Sequence, residues 1–251
     1  MTVREWDGGV YDRISAPMEA LGRAVLDRLE LAGDETVIDA GCGSGRVTEA
    51  LLERLPRGRV LAVDASPSMV AAARERLGER ERLEIREGNL LELEVDEPVD
   101  AILSTATFHW IADHERLFAR LHAALRPGGR LVAQCGGRGN IDVLRGVAHA
   151  ILEREPYAAH FRDWQAPWNY AGPEETEERL RDAGFSPAEC WLAPAPQQPE
   201  HPREFLSSIV LGPHVQQLPR ELREQFLDAV LAELGEPVVV DYIRLNIDAV
   251  A

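Results

Sequence analysis

Lysine is absent from the 251 residues, so all 27 basic side chains are arginines. Chemistry built on a lysine Schiff base, including ordinary pyridoxal phosphate and aldolase-type catalysis, is thereby excluded. A Walker A loop would likewise lack the lysine that reaches its phosphates. Cysteine is scarce. Cys42, Cys135 and Cys190 cannot close a disulfide framework, and no C-x-x-C pair points to a structural zinc. The expected setting is reducing and cytoplasmic, without a metal. Positive charge is in deficit, with 27 basic against 43 acidic side chains and a net charge of −16. So acidic a surface repels phosphate backbones and anionic headgroups, and neither nucleic acid nor a membrane is an expected partner. No apolar run approaches the roughly 18 residues of a membrane span, and the first residues carry no apolar secretory core.

What is present is a regular alternation. Apolar residues recur at helical spacing over 17–31 (Met18, Leu21, Val25, Leu26, Leu29). A short apolar strand follows at 36–40 and ends beside the cluster Gly41-Cys42-Gly43-Ser44-Gly45, which opens a helix to about residue 55. Then come a strand at 59–64, a helix at 66–77 with Ser66 as N-cap and Pro67 at its first position, and a strand at 83–86. A strand at 99–104 precedes a helix over about 113–125, and the turn Arg126-Pro127-Gly128-Gly129 delivers a strand at 130–134. Runs such as VIDA, VLAVD and AILS are apolar on both faces, as strands covered by helices on both sides must be. The pattern predicts an α/β fold with an open, mostly parallel sheet.

After Gln134 the rhythm changes. A helix near 141–152 and an aromatic stretch (Tyr157, Phe161, Trp164, Trp168, Tyr170) occupy 137–172. A helix at 174–183, closed by Gly184, and a strand at 188–192 resume the sheet pattern. Two further helices are expected near 203–211 and 218–234, with a last strand over 237–250. The expected organisation is a core over 1–136, a helical and aromatic insertion over 137–172, and remaining core elements over 173–251 with a helical insertion at about 200–234. The insertions are candidates for a lid over the carboxyl edge of the sheet, where open α/β folds bind ligands. Whether the aromatic stretch lines a pocket or is core stays open.

The glycine loop follows a strand and opens a helix, the context in which ligand atoms approach the backbone. Asp64 ends the next strand, where a carboxylate can accept two hydrogen bonds from a ribose diol. Both NAD and S-adenosylmethionine fit that much. The dinucleotide pattern G-x-G-x-x-G fails, however: its last position falls on Arg46 or on Thr48. The glycines instead read D-x-G-x-G-x-G from Asp39, and an acid there suits an α-ammonium and repels a pyrophosphate. S-adenosylmethionine is the better reading, with S-adenosylhomocysteine as product.

VIDAGCGSG (37–45), AVDASPSMV (62–70), REGNLLEL (86–93), DAILSTATFHWIAD (100–113) and LRPGGRLV (125–132) resemble, in order and spacing, a class I S-adenosylmethionine-dependent methyltransferase. Trp6, Asp7 and Tyr11, the segment 108–114, and the ending Tyr242-x-Arg244-Leu245-Asn246 are similar to the trans-aconitate methyltransferase group and its small-molecule relatives. The resemblance implies a Rossmann-like, seven-stranded sheet whose last strand runs antiparallel between its neighbours. It places Asp39, Gly41, Cys42, Gly43 and Gly45 at the methionine part, and Asp64 at the ribose with Ala65 and Met69 beside the adenine. Asn89 and Leu90 fall at the adenine amino edge, and the backbone at Ser104 and Thr105 at the ammonium. Tyr11 and Trp110 close over the cofactor. One departure stands out: the group's R-x-R-P run in the N-terminal helix is replaced by Met18-Glu19-Ala20-Leu21, with Arg13 and Arg23 nearby.

Because a methyl sulfonium is already activated, the protein's task is in-line positioning in a site without water. A carboxylate acceptor needs no base, whereas a hydroxyl or amine acceptor does. His109, just past the fourth strand, is the candidate base; orienting the loop and shielding the cofactor is its alternative role. Asp113 reads as a helix N-cap, and the His109/His114 pair as no metal site. The expected activity is methyl transfer to a small molecule, on a carboxylate by family resemblance. Hydroxyl or amine methylation through His109, a non-catalytic cofactor-binding module, and an NAD-dependent oxidoreductase are the rivals. Monomer and homodimer are both compatible.

Overall fold

The structure, a computed structural model, describes residues 16–251, with side-chain environments from residue 18 onward. Helix α1 (Ala16–Leu26) precedes β1 (Thr36–Ala40), α2 (Arg46–Arg54), β2 (Arg59–Asp64), α3 (Pro67–Leu77), β3 (Leu83–Glu87) and β4 (Val99–Thr105). Then follow α4 (His114–Ala124), β5 (Leu125–Gly136), α5 (Asp142–Leu152), α6 (Pro173–Asp182) and β6 (Ala188–Pro194). Short α7 (Pro202–Phe205) and α8 (Gly212–Gln217), long α9 (Arg220–Leu234) and β7 (Ile243–Val250) complete the order.

The seven strands form one sheet in the order β3-β2-β1-β4-β5-β7-β6. All recorded pairings among β1 to β5 are parallel, while β7 runs antiparallel to both β5 and β6. The expected Rossmann-like sheet with an inverted last strand is therefore present. Its strand order reverses between β1 and β4, and the crevice outside their carboxyl ends is where such sheets take ligands.

Alternation along each strand divides the sheet into two faces. Val37, Val60, Leu103 and Val132 pack with Val25 and Leu26 of α1 and Leu51 of α2. Ile38, Ile102, Leu131 and Ile247 turn the other way, onto Phe118 and Leu121 of α4 and Leu180 of α6. A third cluster lies outside these layers: Leu144, Ala148 and Ile151 of α5 pack with Phe205, Leu206, Ile209, Phe226 and Val230, together with Val240 and Tyr242. The segments 137–172 and 200–234, separated in the chain by residues 173–199, thus share one apolar core.

Local signals account for several element ends. Ser66 Oγ accepts the Met69 amide at 3.5 Å with Pro67 at the first turn of α3, and Asp113 Oδ1 accepts the Arg116 amide at 2.9 Å at the start of α4. Four elements differ from expectation, the first being β5, which runs Leu125–Gly136 and takes in the expected turn at 126–129. The α1 helix stops at Leu26, although Leu29 remains buried. The expected helix at 203–211 divides into α7 and a π turn over Leu206–Val210. The last strand starts at Ile243, because Val238 and Val240 are drawn into the third cluster and only Val240 makes a bridge, to Gln197.

Candidate active site

The loop after β1 is built by backbone, then closed by side chains. The amides of Gly41 and Cys42 both donate to the Val63 carbonyl, at 2.8 and 3.0 Å, tying the loop to β2. Gly41 has φ +85°, and a Cβ there would collide with Thr107, whose hydroxyl donates to the Gly41 carbonyl at 3.2 Å. Gly43 has φ +54° and the opposite surroundings: among the described residues a Cβ there would meet no atom within 4 Å. The loop is therefore pinned on one side by the β4 loop and presents open space at its tip. Ser104 Oγ donates to the Ala40 carbonyl at 2.6 Å and holds the two strand ends together across the crevice.

Two carboxylates sit under this loop. Asp39 is 1% exposed; its Oδ2 accepts the Thr48 hydroxyl at 2.6 Å, while its Oδ1 is sealed from solvent without a partner among the described residues. Burial, and secondarily the charge of Asp64, raise its pKa from 3.8 to about 6 in spite of the Thr48 bond. Asp64 Oδ2 accepts the Gly43 amide at 2.9 Å and Oδ1 the Ser66 amide at 2.8 Å, and burial holds its pKa above the ordinary value. Each carboxylate oxygen has a second lone pair, so both can still accept from a ligand. A buried acid with an oxygen that no described residue bonds, beside a loop tip that no described residue crowds, fits a cationic, hydroxyl-bearing ligand and repels a pyrophosphate.

The remaining sequence candidates fall into three positions. Ala65 adjoins Asp64, and Met69 is buried in the first turn of α3. Asn89 Oδ1 accepts the Leu91 amide at 3.0 Å, so Asn89 caps a 3-10 turn, and the Leu90 side chain is committed to the core. Thr105 ends β4, and Trp110 and His109 lie in the 3-10 turn beyond it. Cys42 is buried, and burial pushes its thiol well above the ordinary range, so it packs as a small apolar residue and is no nucleophile. Tyr11, with Trp6, Asp7 and Arg13, lies outside the described residues.

His109 lies in the turn after β4. It is buried, and its Nδ1 accepts the Gly136 amide at 3.2 Å. In the neutral ring that bond leaves the proton on Nε2. The imidazole is also part of an aromatic wall: its centroid is 5.1 Å from Trp110 and 5.8 Å from Tyr170, and Trp168 stacks on Tyr170 at 5.9 Å and 8°. The aromatic stretch divides accordingly. Trp168 and Tyr170 reach the turn after β4, Phe161 and Trp164 pack on His214, and Trp168 touches both groups. Glu19, at the position of the missing arginines, pairs with Arg46 at 2.6 Å and with Arg23 at 3.0 Å. These partners hold its carboxyl below the usual range.

Thr48, Thr107, Gln134 and Gly136 were not singled out by the sequence. Thr48 sits nine residues after Asp39 in α2, a spacing that could have been read once the strand–loop–helix unit was placed. Gly136 is required by close approach: a Cβ there would lie 2.6 Å from the Tyr170 ring. Among the described residues no group of three or more His, Cys, Asp or Glu side chains could hold a metal, and no helix is long and apolar enough to cross a membrane.

Fold and site together define a class I S-adenosylmethionine-dependent methyltransferase. Residues 37–129 match a family model described as a methyltransferase domain. Trans-aconitate 2-methyltransferase of Paracidovorax citrulli is 31% identical over 241 residues, 90% of this chain and 88% of the relative. The enzyme of that name from Mycobacterium tuberculosis is 30% identical over 243 residues, 92% and 88% of the two chains. The chain belongs to this methyltransferase family. Among solved structures, phosphoethanolamine N-methyltransferase 2 of Haemonchus contortus, with phosphomonomethylethanolamine and S-adenosylhomocysteine, superimposes with a TM-score of 0.65 at 19% identity. It covers 97% of this chain, which in turn spans 56% of that one. A putative methyltransferase of Bacillus halodurans gives 0.60 at 15% identity over 91% and 97% of the two chains.

Proposed function

We propose that the protein methylates a carboxylate oxygen of a small acid. When bound, S-adenosylmethionine supplies an activated methyl group: an acceptor lone pair forms the new O–C bond while the S–C bonding pair stays on sulfur, and no proton has to leave. Asp39, through its unsatisfied Oδ1, and the loop 41–45 hold the amino-acid end of the cofactor. Asp64 accepts from the ribose hydroxyls, with Ala65, Met69 and the backbone at Asn89 and Leu90 around the adenine. Trp110 and the aromatic wall of Trp168 and Tyr170 exclude water from the acceptor side, and the insertions over 137–172 and about 200–234 act as its lid.

The observation that carries the carboxylate assignment is the hydrogen bond that His109 Nδ1 accepts from the Gly136 amide. With Nδ1 accepting from Gly136, the candidate base offers a proton and takes none, which suits an acceptor already ionised at neutral pH. The relatives named trans-aconitate 2-methyltransferase support the same substrate class. The test is transfer of labelled methyl groups from S-adenosylmethionine to panels of small carboxylic acids, phenols and primary amines. Base-labile methyl ester formed with acids alone is the expected result; methylation confined to phenols or amines would overturn the assignment.

A further inference from the structure

Arg244 is a buried cation at the carboxyl edge of the sheet. It is 4% exposed on β7, in register with Gly136 of β5 and Ala193 of β6. Its Nε donates to Gln134 Oε1 at 3.4 Å, and its guanidinium lies 5.5 Å from the Tyr242 ring centroid. Among the described residues no carboxylate lies within ion-pair distance of it, and its two terminal nitrogens make no hydrogen bond. Nor do those nitrogens figure among the sealed, partnerless polar atoms of the described residues, so they border open space.

A second arginine on the same face shows what is missing. Arg28 of the segment after α1 is tied to Asp248 at 2.9 Å, to Asn246 Oδ1 at 2.7 Å and to the Ile247 and Ala133 carbonyls. Among the described residues one guanidinium is thus neutralised, while its neighbour, two residues along β7 from Asn246, has no counter-ion. Holding an unpaired cation out of water is costly, and the cost is recovered only when an anion arrives.

Position identifies the anion's owner. Strand alternation puts Arg244, Gln134, Thr105 and Asp39 on one face at the carboxyl edge, on the successive strands β7, β5, β4 and β1. Three strand spacings separate Asp39 from Arg244, about 14 Å. That puts Arg244 beyond the methionine end of the cofactor, on the acceptor side. The Tyr170 ring lies over Gly136, the register partner of Arg244, so the guanidinium opens beside the aromatic wall.

We propose that Arg244 anchors the acceptor through a carboxylate that does not itself react. The planar guanidinium fork matches a carboxylate bidentately. One cation balances one carboxylate, whereas a phosphate dianion would want a second, and the neighbouring Arg145 is already paired with Asp142 at 3.3 Å. A carboxylate gripped this way has its negative charge neutralised at both oxygens, which makes it the weaker nucleophile, so the methyl goes to another, unpaired carboxylate of the same molecule. The acceptor is therefore at least a dicarboxylic acid. This rests on the proposed carboxylate methylation and adds to it the residue that reads the second acid.

The test compares wild type with Arg244→Gln and Arg244→Lys, using trans-aconitate, glutarate and the monoacid pentanoate as probes. S-adenosylhomocysteine titration by calorimetry serves as the control for folding and for the cofactor site. Wild type is expected to methylate the polyacids and not pentanoate. Arg244→Gln is expected to keep its S-adenosylhomocysteine affinity within threefold while KM for the preferred polyacid rises at least fiftyfold and kcat falls less than tenfold. The polyacid should also raise the melting temperature of cofactor-free wild type and not of Arg244→Gln. If that variant does not fold, Arg244→Lys carries the test, with KM about tenfold higher because charge remains and the fork is lost. Unchanged polyacid KM, equal turnover of pentanoate, competition by a phosphomonoester tighter than by the polyacid, or loss of S-adenosylhomocysteine binding in a folded variant would each overturn the anchor. If wild type methylates phenols or amines and no acid, the carboxylate reading itself fails.

Discussion

The Gly43 amide donates to Asp64 Oδ2 at 2.9 Å, joining the tip of the loop after β1 to the carboxylate that ends β2. Loop shape and diol recognition therefore depend on one side chain. Asp64→Ala should weaken S-adenosylhomocysteine binding by about 3 kcal/mol, through lost charge-assisted bonds and a loosened loop. Asp64→Asn, which keeps one acceptor oxygen, should lose less. Calorimetric titration of both variants checks this, and undiminished affinity in Asp64→Ala would refute the assignment.

Asp39 imposes a pH dependence on the cofactor-free protein. Its pKa rises from 3.8 to about 6 on burial. Between those values the native state binds more protons than the unfolded chain, so its contribution to stability falls as pH rises through that window. Above it the penalty levels off at about 3 kcal/mol. Asp39→Asn should therefore be more stable than wild type at pH 8, lose that advantage by pH 4, and bind cofactor more weakly. Urea melts at the two pH values decide; a stability difference independent of pH would count against a charged, unsatisfied Asp39.

The two positive-φ glycines should separate folding from binding. Gly41→Ala drives a methyl group into Thr107 at an unfavourable backbone angle and should cost about 3 kcal/mol or more of stability. Gly43→Ala meets no atom of the described residues, so its cost should stay at about 1 kcal/mol. Its cofactor affinity should nevertheless drop at least tenfold, because the added carbon enters the space at the loop tip. Thermal melts paired with S-adenosylmethionine titration distinguish the two; an equal loss of stability would show that the tip is not open.

His109 should leave no basic signature in the kinetics. With an ionised acceptor and a donor tautomer, kcat should be flat between about pH 7 and 9. His109→Gln, which retains a donor, should lose less than a hundredfold in kcat. A loss of a thousandfold, accompanied by disappearance of a rate limb, would restore the base.

The cofactor half of the molecule was legible in the sequence for local reasons. VIDA and VLAVD are apolar on both faces, the glycines follow them directly, and Asp39 and Asp64 stand at strand ends where alternation alone fixes their direction. Asp113 and Ser66 announced their helices by capping chemistry. The acceptor half was not legible in the same way. The His109 tautomer is set by an amide 27 residues away. The division of 203–211 follows from packing on α5 and α9 and not from its own periodicity. Arg244 reads in the sequence only as part of an ending, because what surrounds it, and the pairing of Asp248 with Arg28 on the same face, appear only once β7 lies between β5 and β6.

The third apolar cluster has an evolutionary corollary. Because α5 and the helices over 202–234 are cored by each other, neither segment can be transplanted alone without stripping the other of its packing partner. Chimaeras that exchange 137–172 and 200–240 together should fold and carry over the donor parent's choice of acceptor, while single-segment exchanges should expose that interface and aggregate. Specificity in this architecture is inherited as a pair of segments.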